Sequence, residues 1–77
     1  MYILQEIQTN NGVTALVAPT QYATREDAES AFYMTCGAAV RSTVEAHTVM
    51  VYTHEGFLIP ELCKCFKHPV IVGENGD

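Results

Sequence analysis

The dipeptide Asn11-Gly12 constrains this chain more than any other feature. Both residue types tolerate positive φ, so Asn-Gly between two strand-like runs specifies a tight hairpin turn. On its N-terminal side, Tyr2 to Thr9 (Y-I-L-Q-E-I-Q-T) reads as a strand. On its C-terminal side, Val13 to Ala18 returns as a second strand, and Pro19 ends it because proline has no N–H to give to a ladder. With Asn11 and Gly12 as the loop, Ile7 faces Leu16 on one side of the hairpin and Glu6 faces Val17 on the other. The fold must therefore be built onto an N-terminal antiparallel pair.

After a connection over Pro19 to Ala23, the pattern changes period. Ala28, Phe32, Cys36 and Val40 repeat every four residues, flanked by Ala31 and Ala39. That is the buried stripe of a helix over about Arg25 to Arg41, with one large anchor and small neighbours that let it lie close to a sheet. Thr24 is a good N-cap, and Asp27 stands three positions later as in a capping box. Glu26, Asp27 and Glu29 sit at the positive end of the helix dipole and Arg41 at the negative end. Gly37 inside this helix costs ~1 kcal/mol relative to alanine. A close backbone approach is the packing reason such a glycine would have.

A second hairpin follows. Val44 to Thr53 (V-E-A-H-T-V-M-V-Y-T) is rich in β-branched residues and reads as a long strand. Glu55-Gly56 is the turn, and Phe57 to Phe66 is the last strand, placed at a sheet edge by Pro60. Thr9-Asn10-Asn11-Gly12 and Thr53-His54-Glu55-Gly56 share a Thr-x-x-Gly turn. The expected fold is α+β: a ββαββ domain over residues 1–68, a four-stranded antiparallel sheet with one helix on one face, and a C-terminal tail over 69–77. With Glu55 and Gly56 as the loop, Val49 faces Leu62, Val51 faces Pro60 and Thr53 faces Leu58 on the helix side. Thr48, Met50, Tyr52, Phe57, Ile59, Glu61, Cys63 and Cys65 then populate the uncovered face. Met50, Tyr52, Phe57, Ile59 and Glu61 are the candidate interface residues, since a large apolar patch usually marks a partner or a homodimer seam.

Composition bounds the function. The chain has 77 residues, enough for one small core, and such domains often add a metal, a disulfide or an oligomer contact. The net charge of −5 argues against direct binding of nucleic acid or of an anionic membrane surface. It fits a basic protein partner, or simple solubility. The opening Met1-Tyr2-Ile3-Leu4-Gln5-Glu6 has neither the basic segment nor the apolar run of a signal peptide. Three cysteines cannot close a disulfide framework, which points to a reducing cytoplasmic setting with free thiols or metal ligands.

The segment Cys63-Lys64-Cys65-Phe66-Lys67-His68 carries the most chemistry. Cysteines two apart on a strand point the same way, and with His68 they form a thiolate and imidazole set suited to Zn²⁺. The metal candidates are therefore Cys63, Cys65 and His68, with His54, His47 or Cys36 as a fourth ligand. The bland alternative is two reduced cysteines and a surface histidine. Cys36 on the helix stripe reads as a small hydrophobe, and no hydrolase, phosphate-loop or deaminase motif is present. An enzyme is not expected.

The hairpin, the helix start Thr24-Arg25-Glu26-Asp27-Ala28-Glu29-Ser30 and the strand Val44 to Val49 together resemble small proteins of Firmicutes genomes and their prophages, over about residues 2–65. In size, acidity and single-domain build the chain is also similar to phage anti-CRISPR proteins, a likeness of type rather than of motif. That likeness implies a stoichiometric inhibitor in the bacterial host cell that binds a basic nucleic-acid-handling protein and blocks nucleic-acid loading. The other expectation is a homo-oligomeric structural component, or a zinc-stabilised accessory protein, of a phage or mobile element.

Overall fold

A computed structural model describes residues 1–68. The tail assigned to 69–77 lies outside the described residues. The elements are β1 (Tyr2–Asn10), β2 (Val13–Leu16), β3 (Thr20–Tyr22), α1 (Arg25–Arg41), β4 (Ala46–Thr53) and β5 (Leu58–Lys67). One helix and one antiparallel sheet of four to five strands make up the fold, with sheet order β2-β1-β4-β5 and β3 also paired to β1.

The N-terminal hairpin forms around Asn11 (φ 54°) and Gly12 (φ +77°), the two positive-φ residues that a tight turn of this type needs. Ile7 pairs with Leu16 as the turn dictates, and the Val17 N–H donates to the Glu6 carbonyl at 2.9 Å. Beyond Pro19 the expectation of a plain connection fails. Thr20 to Tyr22 pair again with β1, Tyr22 opposite Tyr2 and Thr20 opposite Leu4. β2 and β3 thus run along the same edge of β1, separated at Val17–Pro19. Proline interrupts the ladder there without turning the chain away. The element order is consequently βββαββ.

The helix begins at its cap: the Asp27 N–H donates to Thr24 Oγ1 at 3.2 Å. Ala28, Phe32, Cys36 and Ala39 are its buried residues, whereas Val40 is exposed. The reason is helical drift. At about 100° per residue, Ala39 returns to within ~20° of Ala28, while a strict four-residue repeat carries Val40 ~120° away. Phe32, Val49, Val51 and Leu62 are fully buried and form the core with Ala28 and Cys36. Tyr2, Leu4, Tyr22, Ile59 and Phe66 pack around it. Gly37 is exposed with open space where a Cβ would be, so no close approach accounts for it.

The second hairpin differs from the expected register. The Thr53 N–H donates to the Phe57 carbonyl at 2.8 Å, which makes the loop three residues, His54 to Gly56, instead of two. Tyr52 therefore pairs with Leu58. The register then shifts: Met50 pairs with Cys63, Val49 with Lys64 and Thr48 with Cys65. Four residues of β5 oppose Val51 alone, a bulge that contains Pro60. The expected partners Val49–Leu62, Val51–Pro60 and Thr53–Leu58 are thus replaced.

Candidate functional site

In an antiparallel sheet, paired residues share a face. His47, Val49 and Val51 of β4 are buried, and the core cluster places Val49 and Val51 with the helix residues Phe32 and Cys36. Their β1 partners are Gln8, Glu6 and Leu4. The opposite face carries Ile3, Gln5, Ile7 and Thr9 of β1, Ala46, Thr48, Met50 and Tyr52 of β4, and Leu16, Leu58, Cys63 and Cys65 by pairing. Leu16 is 70% exposed and Leu58 is 48% exposed. Among the described residues nothing lies over this face. Polar ties cross it: Tyr52 Oη donates to Gln5 Oε1 at 3.1 Å, and Gln5 Nε2 donates to the Val17 carbonyl at 2.9 Å.

Of the five candidate interface residues, Met50 and Tyr52 lie half-buried on this open face. Glu61 is exposed on β5. Phe57 and Ile59 do not belong there. The three-residue loop puts Leu58 beside Tyr52, so its neighbours turn the other way, and Ile59 packs against the core. Leu58, Leu16, Ile3 and Ile7 are the members that the sequence reading missed. Leu16 was legible, because Asn-Gly pairing with Ile7 fixes its side.

Cys63 and Cys65 sit on the open face opposite Met50 and Thr48. His68 turns elsewhere: its Nε2 is 2.7 Å from the Ala39 carbonyl near the helix C-terminus, and its ring meets His47 edge-on at 6.2 Å. The three metal candidates therefore do not converge: the thiols face the open side, while the His68 ring is held against the Ala39 carbonyl and His47. Nor do the proposed fourth ligands join the thiols. Cys36 and His47 are buried on the helix side, and His54 lies in the β4–β5 turn beside Met1, its N–H bonded to the Met1 carbonyl at 3.1 Å. Among the described residues of one chain, no three His, Cys, Asp or Glu side chains are placed to hold an ion.

Beside Cys65 is a shallow groove of about 460 Å³, lined by Thr9, Glu45, Ala46, Thr48, Cys65, Lys67 and His68. Glu45 is fixed there from both sides, accepting from the Asn11 N–H at 3.1 Å and donating its own N–H to Asn10 Oδ1 at 3.4 Å. Its lining thus combines an acid, Glu45, and a base, Lys67, with the hydroxyl residues Thr9 and Thr48.

A polar pair lies under the helix. His47 Nδ1 bonds to Glu6 Oε2, which also accepts from Gln8 Nε2 at 3.3 Å. Side-chain exposures are 4% and 15%, and His47 Nε2 has no partner. Nearby, burial pushes the Cys36 thiol above its ordinary value, partly offset by Lys64 and reinforced by Glu6. A raised thiol stays protonated, which is the opposite of what nucleophilic cysteine chemistry needs. The Glu6–His47 pair was legible in part, since His47 alternates in phase with Val49 and Val51. Its carboxylate partner depended on the β1–β4 register.

No helix among the described residues is long and apolar enough to cross a membrane. In comparisons with known proteins, no family model, curated protein or solved structure matches this chain.

Proposed function

We propose that the chain is a small acidic binding module whose open sheet face docks on a basic, nucleic-acid-handling protein of the bacterial host, which it inhibits stoichiometrically in the manner of phage anti-CRISPR proteins. The observation that supports this reading best is the uncovered apolar face. Ile3, Ile7, Leu16, Met50, Tyr52 and Leu58 share one side of the sheet, and Leu16 and Leu58 are largely exposed. Contiguous apolar surface of that kind is characteristic of protein contact sites.

Charge supplies the second part of the argument. Acids exceed bases nine to four. Glu45 precedes β4 and Glu55 lies in the β4–β5 turn, so carboxylates border the apolar face at both ends, while the β5 edge carries Glu61 together with Lys64 and Lys67. An apolar centre with carboxylates at its two ends complements a basic groove that otherwise holds nucleic acid, and the net negative charge would speed encounter with such a groove.

The test is titration into nucleic-acid loading assays of host nucleases, RNA-guided ones first. Inhibition should saturate at one chain per active site, weaken between 0.05 and 0.5 M salt through roughly a threefold shorter Debye length, and be lost in Leu16→Glu and Leu58→Glu. If no nuclease in the panel is bound or inhibited, or if both variants inhibit as well as the parent, the reading fails.

A further inference from the structure

We infer that two copies of this chain join through their β5 edges and that the seam holds one Zn²⁺ ion between four thiolates, Cys63 and Cys65 of each copy. The inference is independent of the inhibitor reading above.

β5 closes the sheet on one side, and among the described residues its outer edge is unpaired. Pro60 and the bulge around it prevent regular pairing at the strand's start. What remains is Glu61 to Lys67, and the centre of that stretch is Lys64. A two-fold axis at Lys64 pairs each residue with one of the second copy. Glu61 falls opposite Lys67, Leu62 opposite Phe66, and Cys63 opposite Cys65. Carboxylate meets ammonium, apolar meets apolar and thiol meets thiol, so the heptad Glu-Leu-Cys-Lys-Cys-Phe-Lys is complementary to its own reverse. Axes at Cys63 or at Cys65 pair only one cysteine position with itself and lose the charge match.

This register places four thiols at the corners of a small rectangle on the open face. Opposed residues have Cβ atoms about 4.5–5.5 Å apart, and residues two apart along a strand are separated by about 6.8 Å. Zinc–sulfur bonds of about 2.3 Å bring tetrahedral sulfurs to within roughly 3.8 Å of one another, which side-chain rotation from those corners can meet. One chain offers only half of the set: no third ligand lies near among the described residues, and the His68 Nε2 is directed to the Ala39 carbonyl. Thiolate-only donors favour zinc over hard cations.

The paired Lys64 side chains are the one unfavourable contact. They are exposed on the helix side. Zinc with four thiolates carries two net negative charges, which the Lys67 ammonium groups on the same face partly counter, and the exposed Lys64 side chains can splay apart into solvent.

Native mass spectrometry of the full chain purified in reductant should show a dimer with one zinc, becoming a monomer when chelator removes the metal. Cobalt substitution should give the intense thiolate charge-transfer absorption of a four-sulfur tetrahedral site. Cys63→Ser and Cys65→Ser should each lose metal and dimer together, with folding checked by circular dichroism, while Cys36→Ala and His68→Gln keep both. A metal-free monomer, one zinc bound per single chain, or a dimer that survives chelation would each overturn the proposal, and so would a dimer held only by disulfides. The cobalt spectrum of the unmutated chain decides the matter even where a cysteine variant does not fold.

Discussion

Gly37→Ala should stabilise the fold. Gly37 lies well inside α1 and is exposed, and a Cβ built there meets nothing within 4 Å. Its φ is helical, so alanine adopts the same conformation without strain. The substitution then acts mainly by reducing the freedom of the unfolded chain, which favours alanine in a helix interior by about 0.5–1 kcal/mol. For a domain of this length, ~1 kcal/mol raises Tm by about 4–8 °C. Thermal unfolding followed at 222 nm measures it directly. Gly12 and Gly56 supply the control, because they too have open space around the added Cβ but stand at φ +77° and +95°. Alanine there must hold a conformation that L-residues avoid, at a cost of about 1–2 kcal/mol. Three glycines with equal room should therefore split in sign on backbone conformation alone. A Gly37→Ala protein that melts at or below the parent, or one that shifts in the same direction as Gly56→Ala, refutes the reasoning.

Thr24→Ala removes the hydroxyl that caps α1 and should cost about 1 kcal/mol, read from the urea midpoint; an unchanged midpoint would mean that the Asp27 N–H finds another acceptor. Glu6→Ala leaves the buried His47 ring with no partner at either nitrogen and should cost about 1–3 kcal/mol, and a cost below ~0.5 kcal/mol would show that water reaches the ring. Cys36 adds a pH dependence. Its thiol is raised above its ordinary value in the folded state, chiefly by burial, so over a window of alkaline pH the folded chain holds a proton that the unfolded chain releases. Its contribution is complete below the unfolded value and disappears as pH rises through the folded one. Urea midpoints measured from pH 7 to 10.5 should fall less steeply in Cys36→Ala than in the parent, and identical slopes would rule out this origin.

Local chemistry was legible where one short-range rule acts alone. Asn11-Gly12 admits a single tight turn, so the pairing of Ile7 with Leu16 followed from two residues. Thr24 and Arg41 bracket α1 because cap and dipole effects are confined to the first and last turn. What failed needed tertiary knowledge. Val40 fits a four-residue repeat, but the helix turns in steps of 3.6, and only the position of the sheet shows that Ala39 faces the core. Thr20 to Tyr22 has too few residues for a strand pattern and pairs only because β1 presents a free edge. Glu6 and His47 are forty-one residues apart in the chain, and nothing local to either signals the other.

The cysteines are the instructive case, because their face was anticipated through a register that does not occur. A two-residue loop without a bulge places Cys63 and Cys65 on the side of Met50 and Tyr52. The actual loop has one residue more, which alone would have turned both thiols toward the helix. The bulge at Pro60 shifts the pairing by three, an odd number, and turns them back. Only the strand between the two irregularities is inverted: Leu58 gains the open face and Ile59 goes to the core. Strand parity beyond an even total of inserted residues is thus robust to the details, whereas parity between the insertions is not. The same arithmetic makes the β4–β5 hairpin the part of the fold most sensitive to change. A one-residue slip of β5 against β4 beyond the bulge would turn the fully buried Leu62 out of the core and carry Cys63 and Cys65 to the α1 side.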